Sequence, residues 1–185
     1  MRVANPCLAL TFAAALLAAP ASAQGVKTVG GAPMYPSKTI VQNAVNSKDH
    51  TTLVTAVKAA GLVDTLQAAG PFTVFAPTNA AFAKLPAGTV ETLVQPQSKA
   101  TLTSVLTYHV VPGRYTASDL MKAVKNGGGE ARLKTAQGGT LTVLPGRSGK
   151  TLFIADGKGN TSRVTIADVM QSNGVIHVVD TVVMP

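Results

Sequence analysis

The chain has 185 residues, 16 Lys and Arg against 8 Asp and Glu, a formal net charge of +8, and a single cysteine. One thiol excludes a disulfide scaffold and any zinc site built from several cysteines. The basic residues are spread from Lys27 to Arg163 without an adjacent run, and most of the few aromatics are Phe in apolar settings. The concentrated basic stripe and stacking platform of a nucleic-acid reader are therefore missing. The charge reads as a solvated basic surface with an attraction for an anionic cell surface or polysaccharide.

Residues 1–23 read as a secretory signal. Arg2 supplies the positive start, Leu8 to Ala19 an apolar run, Pro20 a break, and Ala21-Ser22-Ala23 a small-x-small cleavage site. The run is too short to span a bilayer, and no second stretch approaches spanning length, so the expected product is exported and soluble. Cys7 leaves with the signal, and the mature domain is held by core packing alone. Residues 24–37, with Gly25, Gly30, Gly31, Pro33 and Pro36, are expected to form a flexible arm, and residues 38–185 one domain.

From Thr39 to Leu106 the apolar spacing is helical. Ile40, Val41, Ala44 and Val45 form one short face. Leu53, Val54, Val57 and Ala60 form a second, capped by Asp49 and ended by Gly61; Leu62, Val63 and Leu66 form a third. Phe72 to Phe75 is a short strand stopped by Pro77, and Asn79 is placed to cap a helical turn carrying Phe82 and Leu85. Leu102, Val105, Leu106 and His109 recur at helical spacing, which puts His109 on the buried side. One more helix is expected over Ser118 to Lys125, with Ser118 as its cap. Strands follow at Ala131–Thr135, Thr140–Leu144, Thr151–Ala155, Arg163–Val169 and Val175–Val183, separated by Gly, Pro and Asn turns. Helices first and hairpins after predict an α+β domain.

Few motifs carry chemistry. Leu144 to Thr151 ends in Gly149-Lys150-Thr151 like a phosphate-binding loop, but Leu144 stands where the first glycine belongs and a strand is expected next instead of a helix. His50, His109 and His177 lie in no metal-ligand spacing, and no G-x-S-x-G occurs. His109 and His177 sit in apolar stripes and read as neutral core imidazoles bonded to backbone or to each other. Asp180, embedded in an apolar strand, reads as a hydrogen-bond acceptor or a bulge residue. Neither catalytic residues nor a cofactor site is expected. Asn160-Thr161-Ser162 is a glycosylation sequon that matters only in a eukaryotic secretory pathway.

Three segments together resemble the fasciclin (FAS1) family. They are Thr73 to Phe82, with Phe75, Pro77, Thr78, Asn79 and Phe82; Tyr108-His109-Val110-Val111-Pro112-Gly113; and Asn173-Gly174-Val175-Ile176-His177-Val178-Val179-Asp180. Their order and spacing cover most of the mature chain. The resemblance implies a β-sandwich or wedge of about seven strands with the N-terminal helices packed against it. It implies that Phe75 and Phe82 are core, that Thr78 and Asn79 fix the strand-to-helix turn, and that His109 and His177 are packing residues. It further implies a secreted or periplasmic, non-enzymatic adhesion or interaction module of bacterial type, meeting a protein or an anionic cell-surface or matrix component. In animal members integrin recognition is associated with the Tyr-His segment and an Asp-Ile pair. The matching positions here are Tyr108-His109 and Asp168-Val169, with Val in place of Ile. A second reading is a carrier of an apolar small molecule such as a lipid or carotenoid, motivated by the 46% apolar composition and an Ala/Gly-rich helical half that leaves room for a groove.

Overall fold

Two separate apolar clusters, one on each face of a curled sheet, organise the molecule. The structure is a computed structural model that describes residues 25–147, 149 and 151–185. The expected signal over residues 1–23 lies outside the described residues, as do Ser148 and Lys150 of the phosphate-loop look-alike.

The chain opens with a hairpin of β1 (Lys27–Val29) and β2 (Ala32–Met34). The helical part comprises α1 (Ile40–Ala44), α2 (Thr51–Ala60), α3 (Val63–Gln67), α4 (Asn79–Ala83), α5 (Thr89–Leu93) and α6 (Lys99–Tyr108), with β3 (Phe72–Pro77) between α3 and α4. After β4 (Val110–Pro112) and α7 (Ala117–Asn126) come β5 (Ala131–Lys134), β6 (Thr140–Pro145), β7 (Leu152–Ala155), β8 (Thr161–Gln171) and β9 (Gly174–Val179). The α+β order expected from the sequence is therefore the observed one.

Seven strands form one sheet in the order β4-β3-β9-β8-β7-β6-β5. All neighbours are antiparallel except β3 and β9, which run parallel from Phe72↔Gly174 to Pro77↔Val179. The Ala136 N–H donates to the Val110 carbonyl at 2.7 Å, so the end beyond β5 meets β4 and the sheet nearly closes on itself. Strand alternation sorts the side chains. Val74, Ala76, Ile176 and Val178 enter the core beneath α1–α4 and α6. Phe75, Val143, Ile154 and Val179 enter the core covered by α7.

Within the segment 24–37, expected as a flexible arm, residues 27–34 form the β1–β2 hairpin; Gln24 lies outside the described residues. Gly30 (φ 57°) and Gly31 (φ 76°) close a two-residue turn between β1 and β2, and Val29 and Met34 are buried in the helix-side core. This is the hairpin geometry that two positive-φ residues favour. Gly30 also lies so close to the Lys48–Asp49 backbone that a Cβ there would stand 2.6 Å from the Asp49 nitrogen.

Capping differs from expectation at three points. Thr78, not Asn79, caps α4, its Oγ1 accepting from the Ala81 N–H at 3.2 Å. Thr116, not Ser118, caps α7, in a reciprocal capping box with Asp119. Asp49 does not cap α2. Asn79 does this from outside, its Oδ1 accepting from the Thr52 N–H at 3.0 Å while its Nδ2 donates to the Lys48 carbonyl at 2.8 Å. Gly61 ends α2 in the left-handed conformation, as its position predicted. The last strand stops at Val179, earlier than the expected Val183; beyond it the chain leaves the ladder, and Val182 and Val183 turn into the core. Beyond Thr151 the chain continues as strand β7, so no helix N-terminus follows the Gly149 turn to receive a phosphate.

Candidate functional site

Two imidazoles and one asparagine join the ends of the chain to its middle. His109 follows the last turn of α6, where its Nδ1–H donates to the Val105 carbonyl at 2.8 Å. Its Nε2 accepts from the Val183 N–H at 3.3 Å, which ties the C-terminal segment to this helix. His177 lies on β9, stacked on Phe75 with ring centroids 5.6 Å apart. Its Nε2–H donates to the Tyr115 carbonyl at 2.8 Å, and its Nδ1 accepts from the Asp168 N–H at 3.4 Å. Asn173 Oδ1 accepts from the Ile40 N–H, and its Nδ2 donates to the Leu66 and Ala68 carbonyls. Gly174 is required beside it, because a Cβ there would stand 2.1 Å from the Phe72 carbonyl oxygen of the parallel neighbour.

Burial holds the His109 and His177 rings neutral. It pushes both pKa values below the usual imidazole range, with the Val105 carbonyl partly opposing the shift at His109 and the Tyr115 carbonyl at His177. Each ring serves one backbone donor and one backbone acceptor; the two do not bond to each other. Such rings have no lone pair left for a metal or a substrate proton. Among the described residues, no group of three His, Cys, Asp or Glu is placed to hold a metal ion, and no helix is long and apolar enough to cross a membrane.

The residues matched to partner recognition are scattered. Tyr108 is buried in the sheet-side core, its hydroxyl donating to the Thr140 carbonyl at 2.7 Å. Val169 is buried in the opposite, helix-side core, and His109 is buried as described. Burial leaves these three no surface for a direct contact. Asp168 alone reaches the outside, half-buried at a bulge of β8, with a positive φ of 55°. Its Oδ1 accepts from the Ala117 N–H at 2.6 Å and anchors the first residue of α7. Beside it, Lys27, Pro36, Thr116 and Met170, with Gly25 and Met34, line a shallow groove of about 370 Å³. Asp180 is a half-buried acceptor just past β9: it takes the Arg163 N–H at 3.0 Å and pairs with Lys84 at 3.9 Å.

Sequence reasoning passed over His50 and the hairpin that approaches it. His50 is 3% exposed, with Nδ1 2.9 Å from Ser47 Oγ. The signal for the hairpin was present in Val29-Gly30-Gly31-Ala32, two glycines between apolar residues. His50, Val29 and Met34 line an apolar cavity of about 50 Å³ in the helix-side core, together with Leu53, Leu106 and Ile176 among others.

Comparison with known proteins places the whole arrangement. The family model described as Fasciclin domain matches residues 48–185. "Protein sll1483" of Synechocystis is 48% identical over 149 residues, covering 80% of this chain and 73% of that protein. "Immunogenic protein MPB70" of Mycobacterium bovis is 34% identical, covering 100% of this chain and 99% of that one. Among solved structures, a FAS1 domain pair from the insect cell adhesion molecule fasciclin I superposes with a TM-score of 0.68 at 22% identity, over 78% of this chain and 50% of that one. The same α+β fold, the family-model match and the full-length bacterial relative agree: the chain belongs to the fasciclin family.

Proposed function

We propose that the chain is an exported, non-enzymatic interaction module that binds a protein or an anionic cell-surface or matrix component through its outer face. The observation that carries this reading is the inward use of its motif residues. His109, His177, Asn173 and Asn79 each spend their polar atoms on backbone groups of this same chain. Side chains so employed hold a scaffold and leave recognition to the surface. A bacterial relative named "Cell surface glycolipoprotein MPB83", 39% identical over 124 residues, supports an envelope location. The groove beside Asp168 is the preferred contact region, with exposed Lys27 supplying positive charge and Met170 an apolar edge.

Binding of the purified protein to cell envelopes of its host tests this reading, with Lys27→Glu and Met170→Ala compared with wild type. Neither side chain caps an element; Lys27→Glu gives up one bond, from Lys27 Nζ to the Ala167 carbonyl, so the fold is expected to survive, which circular dichroism checks, while Met170→Ala leaves that bond in place. Weakened binding by both variants and a fall with added salt are expected. Full binding by both variants removes the groove from the reading.

A second reading, a carrier of an apolar small molecule, is favoured by one observation, the cavity in the helix-side core.

A further inference from the structure

The cavity has an almost wholly apolar wall and one polar atom without an assignment. Among the described residues, His50 Nε2 is the buried side-chain nitrogen or oxygen that has no hydrogen-bond partner. Its ring is 3% exposed, lines the cavity and is held in place by Ser47 Oγ on the opposite nitrogen. An unpaired buried polar atom costs about 1–3 kcal/mol, and folded proteins pair nearly all of theirs. The Ala76 carbonyl lies near enough to favour a protonated ring, but it does not meet Nε2 in hydrogen-bonding geometry. A water molecule fits the space poorly in chemical terms. Buried waters use about three polar partners, and empty cavities stay dry when their walls are apolar.

We infer that this cavity is a binding site for a compact, uncharged aliphatic molecule with one hydroxyl or carbonyl, whose oxygen pairs with His50 Nε2. The inference rests on the carrier reading and deepens it. Size sets the first limit: about 50 Å³ gives room for roughly three to four water-sized groups, so the occupant is small. Charge sets the second. A carboxylate or ammonium against this apolar wall would lose its hydration without a counter-charge inside; Lys58, the charged residue of the lining, is exposed. Tautomer chemistry sets the third. The Ser47 hydroxyl can donate to Nδ1, leaving Nε2–H as a donor, or accept from it, leaving Nε2 as an acceptor. A hydroxyl on the ligand suits both forms and a carbonyl suits the first.

Access is built into the N-terminal hairpin. It supplies Val29 and Met34 to the cavity wall while forming a two-stranded sheet of its own, outside the seven-stranded one. Few bonds fasten it: the Lys48 N–H donates to the Gly30 carbonyl, Lys27 Nζ to the Ala167 carbonyl, and Asn43 bonds both main-chain groups of Tyr35. A wall fastened by so few bonds opens at less cost than one woven into the main sheet.

The test is a nuclear magnetic resonance titration of the isotope-labelled protein with 2-propanol and, separately, propane, both within the size limit. 2-Propanol is expected to shift the methyl signals of Val29, Leu53 and Ile176 together with the His50 Nε2 resonance. Propane is expected to bind more weakly and to leave Nε2 where it was. In His50→Leu the preference for the alcohol should fall by about three- to tenfold. If both probes shift the methyls equally and Nε2 does not move, the carrier reading survives and the pairing with His50 is overturned. If neither probe shifts the methyls, the inference and the carrier reading fall together. The wild-type Nε2 readout stands whether or not His50→Leu folds.

Discussion

The two cores of this domain treat a buried imidazole in opposite ways. In the sheet-side core, His177 is stacked on Phe75 and both its nitrogens are occupied. In the helix-side core, His50 has one nitrogen bonded and the other facing a cavity. The first ring connects β9 to the Tyr115 segment and to the β8 bulge, so the fold depends on it. The second connects only two residues of one short turn, Ser47 and His50, so the fold can spare it. The contrast teaches that burial alone does not identify a structural histidine; the number of chain segments joined through it does.

The largest expected effect comes from deleting each ring in turn. His177→Leu strands the Tyr115 carbonyl and the Asp168 N–H, each a loss of about 1–3 kcal/mol. His50→Leu removes an unpaired nitrogen and one bond, and should be close to neutral. Urea unfolding of both variants checks this, and equal losses would erase the distinction between the two cores.

A one-methylene enlargement sharpens the same comparison. Val143 is fully buried in the sheet-side core, and Val143→Ile should cost about 1–3 kcal/mol through overpacking. Val57 borders the cavity, so Val57→Ile has space to enter and should be neutral or slightly stabilising in the same urea measurement.

Acid should act on both cores. Burial lowers the pKa of His50, His109 and His177 in the folded chain. Between the usual value near 6.5 and the depressed folded values, the unfolded chain holds more protons than the native one. Stability is therefore complete above about pH 6.5 and falls as the pH drops, by at most about 1.4 kcal/mol per pH unit for each ring. The depressed pKa values of Asp156 and Asp180 act in a separate window below the ordinary carboxylate value. Unfolding midpoints at pH 7.5, 6.0 and 5.0 should decline in order, and His50→Leu should flatten the decline. A midpoint constant across this range would contradict the neutral-ring assignment.

The smallest effect concerns the start of α2. Asn79→Ala removes its cap in trans and should lower stability by about 0.5–2 kcal/mol, a loss that Asp49→Ala, with no capping role, does not reproduce.

Much of this architecture was legible because its causes are local. Apolar spacing marked α2 and α6, Gly61 marked a helix end, and paired turn residues separated the strands of the second half. His109 and His177 were readable as internal because each sits within an apolar stripe. What stayed hidden depends on distant partners. The parallel pairing of β3 with β9 joins Phe72 to Gly174 across most of the domain, and periodicity is blind to such a partner. Asn79 looked like a cap for its own helix because side-chain type signals capping but not which helix receives it. Tyr108 and Val169 looked available in sequence, but they enter opposite cores, a fact fixed only by the face each element turns inward. The groove beside Asp168 brings the N-terminal hairpin against β8 and the start of α7, three segments with no shared sequence signature.

The bond between Ala136 and Val110 has a consequence for life at high local density. A sheet with open borders offers main-chain donors and acceptors to any neighbouring copy, and crowded display on an envelope would invite fibril-like stacking. By bringing the two ends of its ribbon together at this bond, the domain shortens the stretch of main chain that its large sheet leaves open to such pairing.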